Sequence, residues 1–295
     1  MSNPITDLPW QSLASRGFLH VREFLTPPEL AKLRNDYEAQ FARGAANGNY
    51  DVPLVSPLLT WRFEPKLQAV GAVVQAAAGI CADMTVAGLY FSTAKGISFA
   101  WHQDHESFFM YQQHADYLNF YIPVIKPEVA HTNLCVIPFD RLAAQVPERC
   151  YRRLAGSGAA RLFPDGCETR VCDDEHGEEY TLPVNIEELK VTPEMAPGDL
   201  LLMRGDMIHR TQDTQTERVA VSFRRTRAAS VINRARLLSG ASAKREMMQK
   251  NGALFAPLLA CFETLKQEEI TAKQLAAYFH DRNRPVPRAP GGSAP

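Results

Sequence analysis

Apolar and polar positions follow three successive regimes along the 295 residues. The first is helical. Phe18, Leu19, Val21 and Phe24 form a short apolar run that predicts a strand, and Thr26 then precedes Pro27-Pro28 with Glu29 three positions on. That is capping-box spacing with proline in the first turn. Leu30, Leu33, Tyr37 and Phe41 recur at helical intervals, with Gly44 as a stop. A second helix is expected over about 64–79, with Leu67, Val70, Val73 and Val74 on its apolar face.

From residue 84 the period shortens toward two. "MTVAGLYFST", "ISFAWHQD", "DYLNFYIPVI" and "TNLCVIPF" read as short strands broken by Gly, Pro, Asn and Lys. A long polar insertion follows at about 140–196, and inside it "TRVCDDEHGEEYTLPV" predicts a hairpin turning near Gly177. Its DDEH run, residues 173–176, sits among charged neighbours and reads as a solvated turn rather than a metal cluster. Strand patterning resumes through "DLLLMRGDMIH" and "RVAVSFRRT" after the turn at Pro197-Gly198-Asp199. Residues 240–282 are helical again, and 285–295 form a Pro/Gly-rich, flexible tail. Helices, then strands, then helices predict one α+β domain over 1–284 around a mainly β core, a sandwich or barrel.

Composition narrows the function classes. A net charge of −1 supplies no basic field for nucleic acid. The six cysteines make no C-x-x-C pair, so a zinc ribbon is excluded and reduced thiols in a cytoplasm are expected. No apolar run approaches the roughly 18–20 residues of a membrane span, and the opening residues lack a signal-peptide pattern.

The chemistry gathers at "AWHQDHESFF", residues 100–109. In an extended segment His102 and Asp104 project together while Gln103 turns away. One more histidine completes a 2-His-1-carboxylate facial triad, and His209, at the end of "DLLLMRGDMIH", is the candidate. Arg218, Ala220, Ser222 and Arg224 share one face of the following strand. A planar guanidinium there can grip a carboxylate bidentately, and Arg224 competes with Arg218 for that task. Asn119 and Tyr121 alternate with Leu118 and Phe120, so they are expected to line the cavity. His105 and Glu106 suit a loop or a substrate contact, and His114, His131 and His176 the surface.

In order and spacing, "GFLHVREFLTPPELAKLR", "WHQD" and "PGDLLLMRGDMIH" resemble the iron(II)/2-oxoglutarate oxygenases of the phytanoyl-CoA dioxygenase-like branch, over about residues 15–227. The resemblance implies a double-stranded β-helix (jelly-roll, cupin-like) flanked by N- and C-terminal helices. It implies Fe(II) on His102, Asp104 and His209, with 2-oxoglutarate fixed through its far carboxylate by Arg218 and Thr211. O2 would be the second cosubstrate, and the substrate a small molecule of specialised biosynthesis. A carboxylate at Asp104 favours hydroxylation, desaturation or cyclisation over halogenation. The chain departs from the branch in reading "PFDR" where a "PGSH"-like turn is usual, in the long stretch between Asp104 and His209, and in the early arginine after His209. The insertion and "ESFFMYQQ" are candidate lid elements. Two other classes keep the same ligands: a zinc-dependent cupin-like hydrolase and a catalytically silent jelly-roll binding protein.

Overall fold

The computed structural model describes residues 8–42, 53–95, 98–156, 159–250 and 252–282. The expected tail at 285–295 and the stop at Gly44 lie outside them. Helix α1 (Ser12–Arg16), strand β1 (Phe18–Val21), α2 (Pro27–Ala42) and α3 (Pro57–Ala78) open the chain. The capping box is realised: Glu29 accepts from both the backbone N–H and the hydroxyl of Thr26, at 2.8 and 2.9 Å. The second helix starts several residues before the expected 64, because Ser56 caps it with Pro57 at its first position.

Strands β2 (Met84–Ser92), β3 (Tyr117–Ile125) and β4 (Leu134–Val136) follow, then α4 (Phe139–Gln145) and α5 (Glu148–Leu154). Next come β5 (Ala160–Asp165), β6 (Glu168–Asp173), β7 (Glu178–Leu182), β8 (Leu200–Arg204), β9 (His209–Thr211) and β10 (Val219–Thr226). The C-terminal part comprises β11 (Val231–Asn233), α6 (Arg234–Leu238), α7 (Ser242–Lys250), α8 (Gly252–Leu265), β12 (Glu269–Thr271) and α9 (Ala272–Arg282). The region expected to be helical throughout thus contains β12, which pairs with β11.

An antiparallel five-stranded sheet runs in the order β1-β8-β3-β10-β2. Period-two alternation divides its faces. Val219, Val221 and Phe223 of β10 join Leu118, Phe120 and Leu202 in a core with Leu33, Phe63 and Leu67 of the N-terminal helices. Ala220, Tyr121, Leu201 and Met203 face the other way, onto a second core containing Trp101, Val136 and Ile208. Burying one such side chain contributes roughly 1.5–3 kcal/mol, so a one-residue slip of β10 would exchange its apolar and polar faces at large cost.

The 140–196 segment is not peripheral. Strands β5, β6 and β7 form an antiparallel sheet, and Leu142, Leu154, Leu162, Val171 and Ile186 belong to the same core as Val136. Residues 100–104, expected as part of a strand, pair only at His102, which bridges His209 on one side and Arg161 on the other. The hairpin turns where expected, with Gly177 at φ 71°. The three acids of its DDEH turn are buried rather than solvated: Asp173, Asp174 and Glu175 are 7%, 4% and 6% exposed. Asp174 accepts from Arg161 at 2.7 Å twice and lies 2.9 Å from His105, while Glu175 meets the buried Lys244 of α7 at 2.9 Å. Contacts more than ten residues away, invisible to local composition, neutralise Asp174 and Glu175, while Asp173 is held within the turn by His176. No described helix is long and apolar enough to cross a membrane.

Candidate metal centre

His102 and His209 face each other across the bridge and exchange both backbone N–H···O bonds, each 3.0 Å. Such directly opposed positions project side chains to one face, and the imidazole centroids lie 4.3 Å apart. Asp104, two residues beyond His102, places Oδ1 3.8 Å from His102 Nε2 and 3.9 Å from His209 Nε2. The three donor atoms lie within 4.8 Å of one another. Metal bonds near 2.1 Å at right angles put neighbouring donors about 3 Å apart, a contraction within reach of small side-chain rotations.

The imidazoles are oriented for ligation. Nδ1 of His102 contacts the Ala100 carbonyl at 2.8 Å, and Nδ1 of His209 the Met207 carbonyl at 2.9 Å. A carbonyl only accepts, so each Nδ1 carries the proton and each Nε2 turns its lone pair toward Asp104. Burial and the neighbouring His209 push His102 down to about 3 against the pull of Asp104, which keeps it neutral. For Asp104, burial acts upward, but Arg224, His209, His102 and the Asn119 amide outweigh it and hold the carboxyl well below its ordinary range.

Asp104 Oδ2 is fully engaged. It accepts from Asn119 Nδ2 at 2.5 Å and from Arg224 Nη1 at 3.2 Å, leaving Oδ1 for the histidine side. The same Arg224 nitrogen lies 3.0 Å from Glu106. Behind the ligand strands sits Glu187, from the 140–196 segment. Its carboxylate accepts from Trp101 Nε1 at 2.7 Å and from Arg210 Nε and Nη2 at 3.1 and 3.0 Å. It therefore ties the residue before His102 to the residue after His209. Gln103 points away from the metal face, completely buried, with its amide donating to the Leu154 and Asp206 carbonyls.

The triad opens onto a cavity of about 360 Å³, whose walls also carry Asn119, Tyr121, Thr211, Arg218 and Arg224. All sequence-derived candidates thus meet in one place. Arg218 is 2% exposed. It donates from Nη1 to the Thr132 carbonyl at 2.8 Å, while its Nε and the Tyr121 hydroxyl are buried with no partner among the described residues. The Thr211 hydroxyl accepts from Phe99 N–H at 3.2 Å. Sequence reasoning did not single out Glu187, Arg161, Phe163 or Phe255, of which the last three line the cavity. The alternation of β5 could have exposed Arg161 and Phe163; nothing local marks Glu187. Of the histidines expected on the surface, His176 is exposed and His131 partly so, but His114 is half-buried and packs on Phe108 at 5.5 Å.

Two imidazole nitrogens and one carboxylate oxygen suit a divalent transition metal with open positions. A buried, uncommitted guanidinium N–H in the same cavity suits an anion, since an unmet buried donor costs about 1–3 kcal/mol. Fold and site together define an α+β protein with a 2-His-1-carboxylate constellation at a single antiparallel bridge between the His102 segment and β9. The fold is similar to that of SnoK, a non-heme alpha ketoglutarate dependent carbocyclase from nogalamycin biosynthesis. That match has a TM-score of 0.51 and 12% identity, covering 77% of this chain and 87% of that one. It is also similar to EctD from S. alaskensis with bound Fe, at a TM-score of 0.50 and 14% identity over 78% of this chain and 83% of that one. EctD with 2-oxoglutarate and 5-hydroxyectoine matches at 0.50 and 14%, over 79% and 83%. At such identities the likeness is one of fold. No protein-family model and no curated protein matches the sequence.

Proposed function

We propose that the chain is an iron(II)- and 2-oxoglutarate-dependent oxygenase of the phytanoyl-CoA dioxygenase-like branch. In this reading it is one domain over 1–284, built on a double-stranded β-helix and acting on a small molecule of specialised biosynthesis. One observation carries it: the donor atoms of His102, Asp104 and His209 converge on a cavity whose wall holds Arg218, a buried cation with an unspent N–H and no acidic partner among the described residues. The solved structures of similar fold named above add support, and six free thiols fit a reducing cytoplasm.

His102, Asp104 and His209 would hold Fe(II). Arg218, with the Thr211 hydroxyl, would bind the far carboxylate of 2-oxoglutarate, while Tyr121 lines the same pocket. Arg224 is less suited, because Asp104 and Glu106 already share it. Asn119 and Arg224 keep Oδ2 of Asp104 occupied, so the carboxylate offers one oxygen and open positions remain on the metal face. Bound together, iron, 2-oxoglutarate and O2 supply the oxidising power for hydroxylation, desaturation or cyclisation. The protein contributes orientation and a largely apolar enclosure that keeps water away.

The test is succinate release. Purified protein given Fe(II), ascorbate, 2-oxoglutarate and air should form succinate even without added substrate, at a slow uncoupled rate, and His209→Ala should not. Absence of succinate beside a zinc-dependent hydrolytic activity would replace this reading with the cupin-like hydrolase.

A further inference from the structure

The cavity beyond the metal face has a consistent chemistry. Its wall carries Leu89, Phe91, Phe99, Met110, Phe163 and Phe255, brought from five separate segments of the chain. Phe91 and Phe99 meet edge to face with centroids 6.4 Å apart, and Phe99 lies 5.3 Å from the His102 ring, so aromatic surface reaches to the reacting centre.

The charged groups of that wall balance only as a set, Arg161, Arg218 and Arg224 against Asp104, Glu106 and the adjoining Asp174. Arg224 faces Asp104 at 3.2 Å and Glu106 at 3.0 Å. Asp174 grips Arg161 through Nε and Nη2, both at 2.7 Å, and Glu246 adds a second negative neighbour. Arg218 alone has no acidic partner among the described charged residues of the wall, and the oxygenase reading assigns it to the cosubstrate. Loading the site adds two positive charges with iron and two negative with 2-oxoglutarate, so the balance survives loading. A charged substrate would have to leave water for a wall offering it no counter-ion, which costs several kcal/mol per ion. A neutral oxygen function has a place to go: His105, held 2.9 Å from Asp174, and the remaining N–H groups of Arg161 form one polar corner.

We propose that the cavity takes an uncharged, hydrocarbon-rich, ring-containing substrate bearing a hydroxyl or keto oxygen. The inference rests on the oxygenase reading for the assignment of Arg218 and for what happens to the bound molecule.

Three cage compounds of one shape and different charge test it: adamantan-1-ol, adamantane-1-carboxylate and 1-adamantylammonium. Each is titrated calorimetrically into the protein loaded anaerobically with Fe(II) and 2-oxoglutarate, where Arg218 is engaged by the cosubstrate. The alcohol should bind at least about tenfold more tightly than either ion. Phe163→Ala, at a side chain exposed enough to be replaced without unfolding the chain, should weaken the alcohol several-fold. The proposal is overturned if either ion binds as tightly as the alcohol, if none of the three binds, or if Phe163→Ala leaves the alcohol's affinity unchanged. Succinate release in the same preparation keeps the two readings apart. Neutral preference without succinate defeats the oxygenase and leaves the cavity's selectivity standing; succinate without neutral preference does the reverse.

Discussion

Arg218, just before β10, and Arg224, within it, both line the cavity and differ in what each already holds. Arg224 is bound into the Asp104–Glu106 pair, whereas Arg218 has the Thr132 carbonyl and the face of the Tyr121 ring. Arg218→Ala should therefore weaken 2-oxoglutarate by about 1.5–3 kcal/mol per charged hydrogen bond lost, with iron affinity little changed. Arg224→Ala should lower iron affinity instead, roughly 10–100-fold as for other groups that orient a ligand. Paired titrations of metal and cosubstrate check this, and the reverse pattern would exchange the two arginines. The convergence of His102, Asp104 and His209 was legible in the sequence, since H-x-D in an extended segment leaves little choice of direction. What holds them was not: Asn119 reads as one more cavity residue until folding brings its amide to 2.5 Å from Asp104.

At the scale of elements, periodicity located β2, β3, β8 and β10, whose apolar faces are long enough to show alternation. It found the hairpin inside the 140–196 segment but not the packing around it, because strands with polar outer faces hide the few apolar residues that share a core. Its buried turn also anchors the C-terminal helices. Lys244 of α7 and Glu175 have side chains 1% and 7% exposed and lie 2.9 Å apart. Removing Lys244 leaves the buried Glu175 with only the more exposed Arg236, 3.7 Å away, so Lys244→Met should cost somewhat less than the roughly 3–5 kcal/mol of a buried pair broken outright. Adding Glu175→Leu to that variant should recover much of the loss. Urea unfolding of the single and double variants measures both, and a single variant as stable as wild type would mean that the pair is solvated in solution.

For the molecule as a whole, Glu187 joins the 140–196 segment to both chain segments that carry the candidate metal residues. Burial acts upward on its carboxyl, but hydrogen bonds from Arg210, Lys190 and Trp101 bring it from 4.5 down to about 2. With the folded value depressed, the unfolded chain binds the extra proton. The contribution is therefore full above about pH 4.5 and lost as pH falls through about 2. Glu187→Gln should be less stable than wild type near neutrality, with a gap that narrows on acidification. Urea midpoints at about pH 7 and about pH 3.5 read this directly, and a gap independent of pH would remove Glu187 from the account. The central claim is that His102, Asp104 and His209 hold iron beside a chelating keto acid anchored by Arg218. Its most direct measurement is the visible absorption of the protein under anaerobic conditions with Fe(II) and 2-oxoglutarate. A weak band is expected that needs both components, disappears in His209→Ala, and demands a higher 2-oxoglutarate concentration in Arg218→Ala; a protein that binds only zinc and never develops the band would contradict the iron and keto-acid assignment.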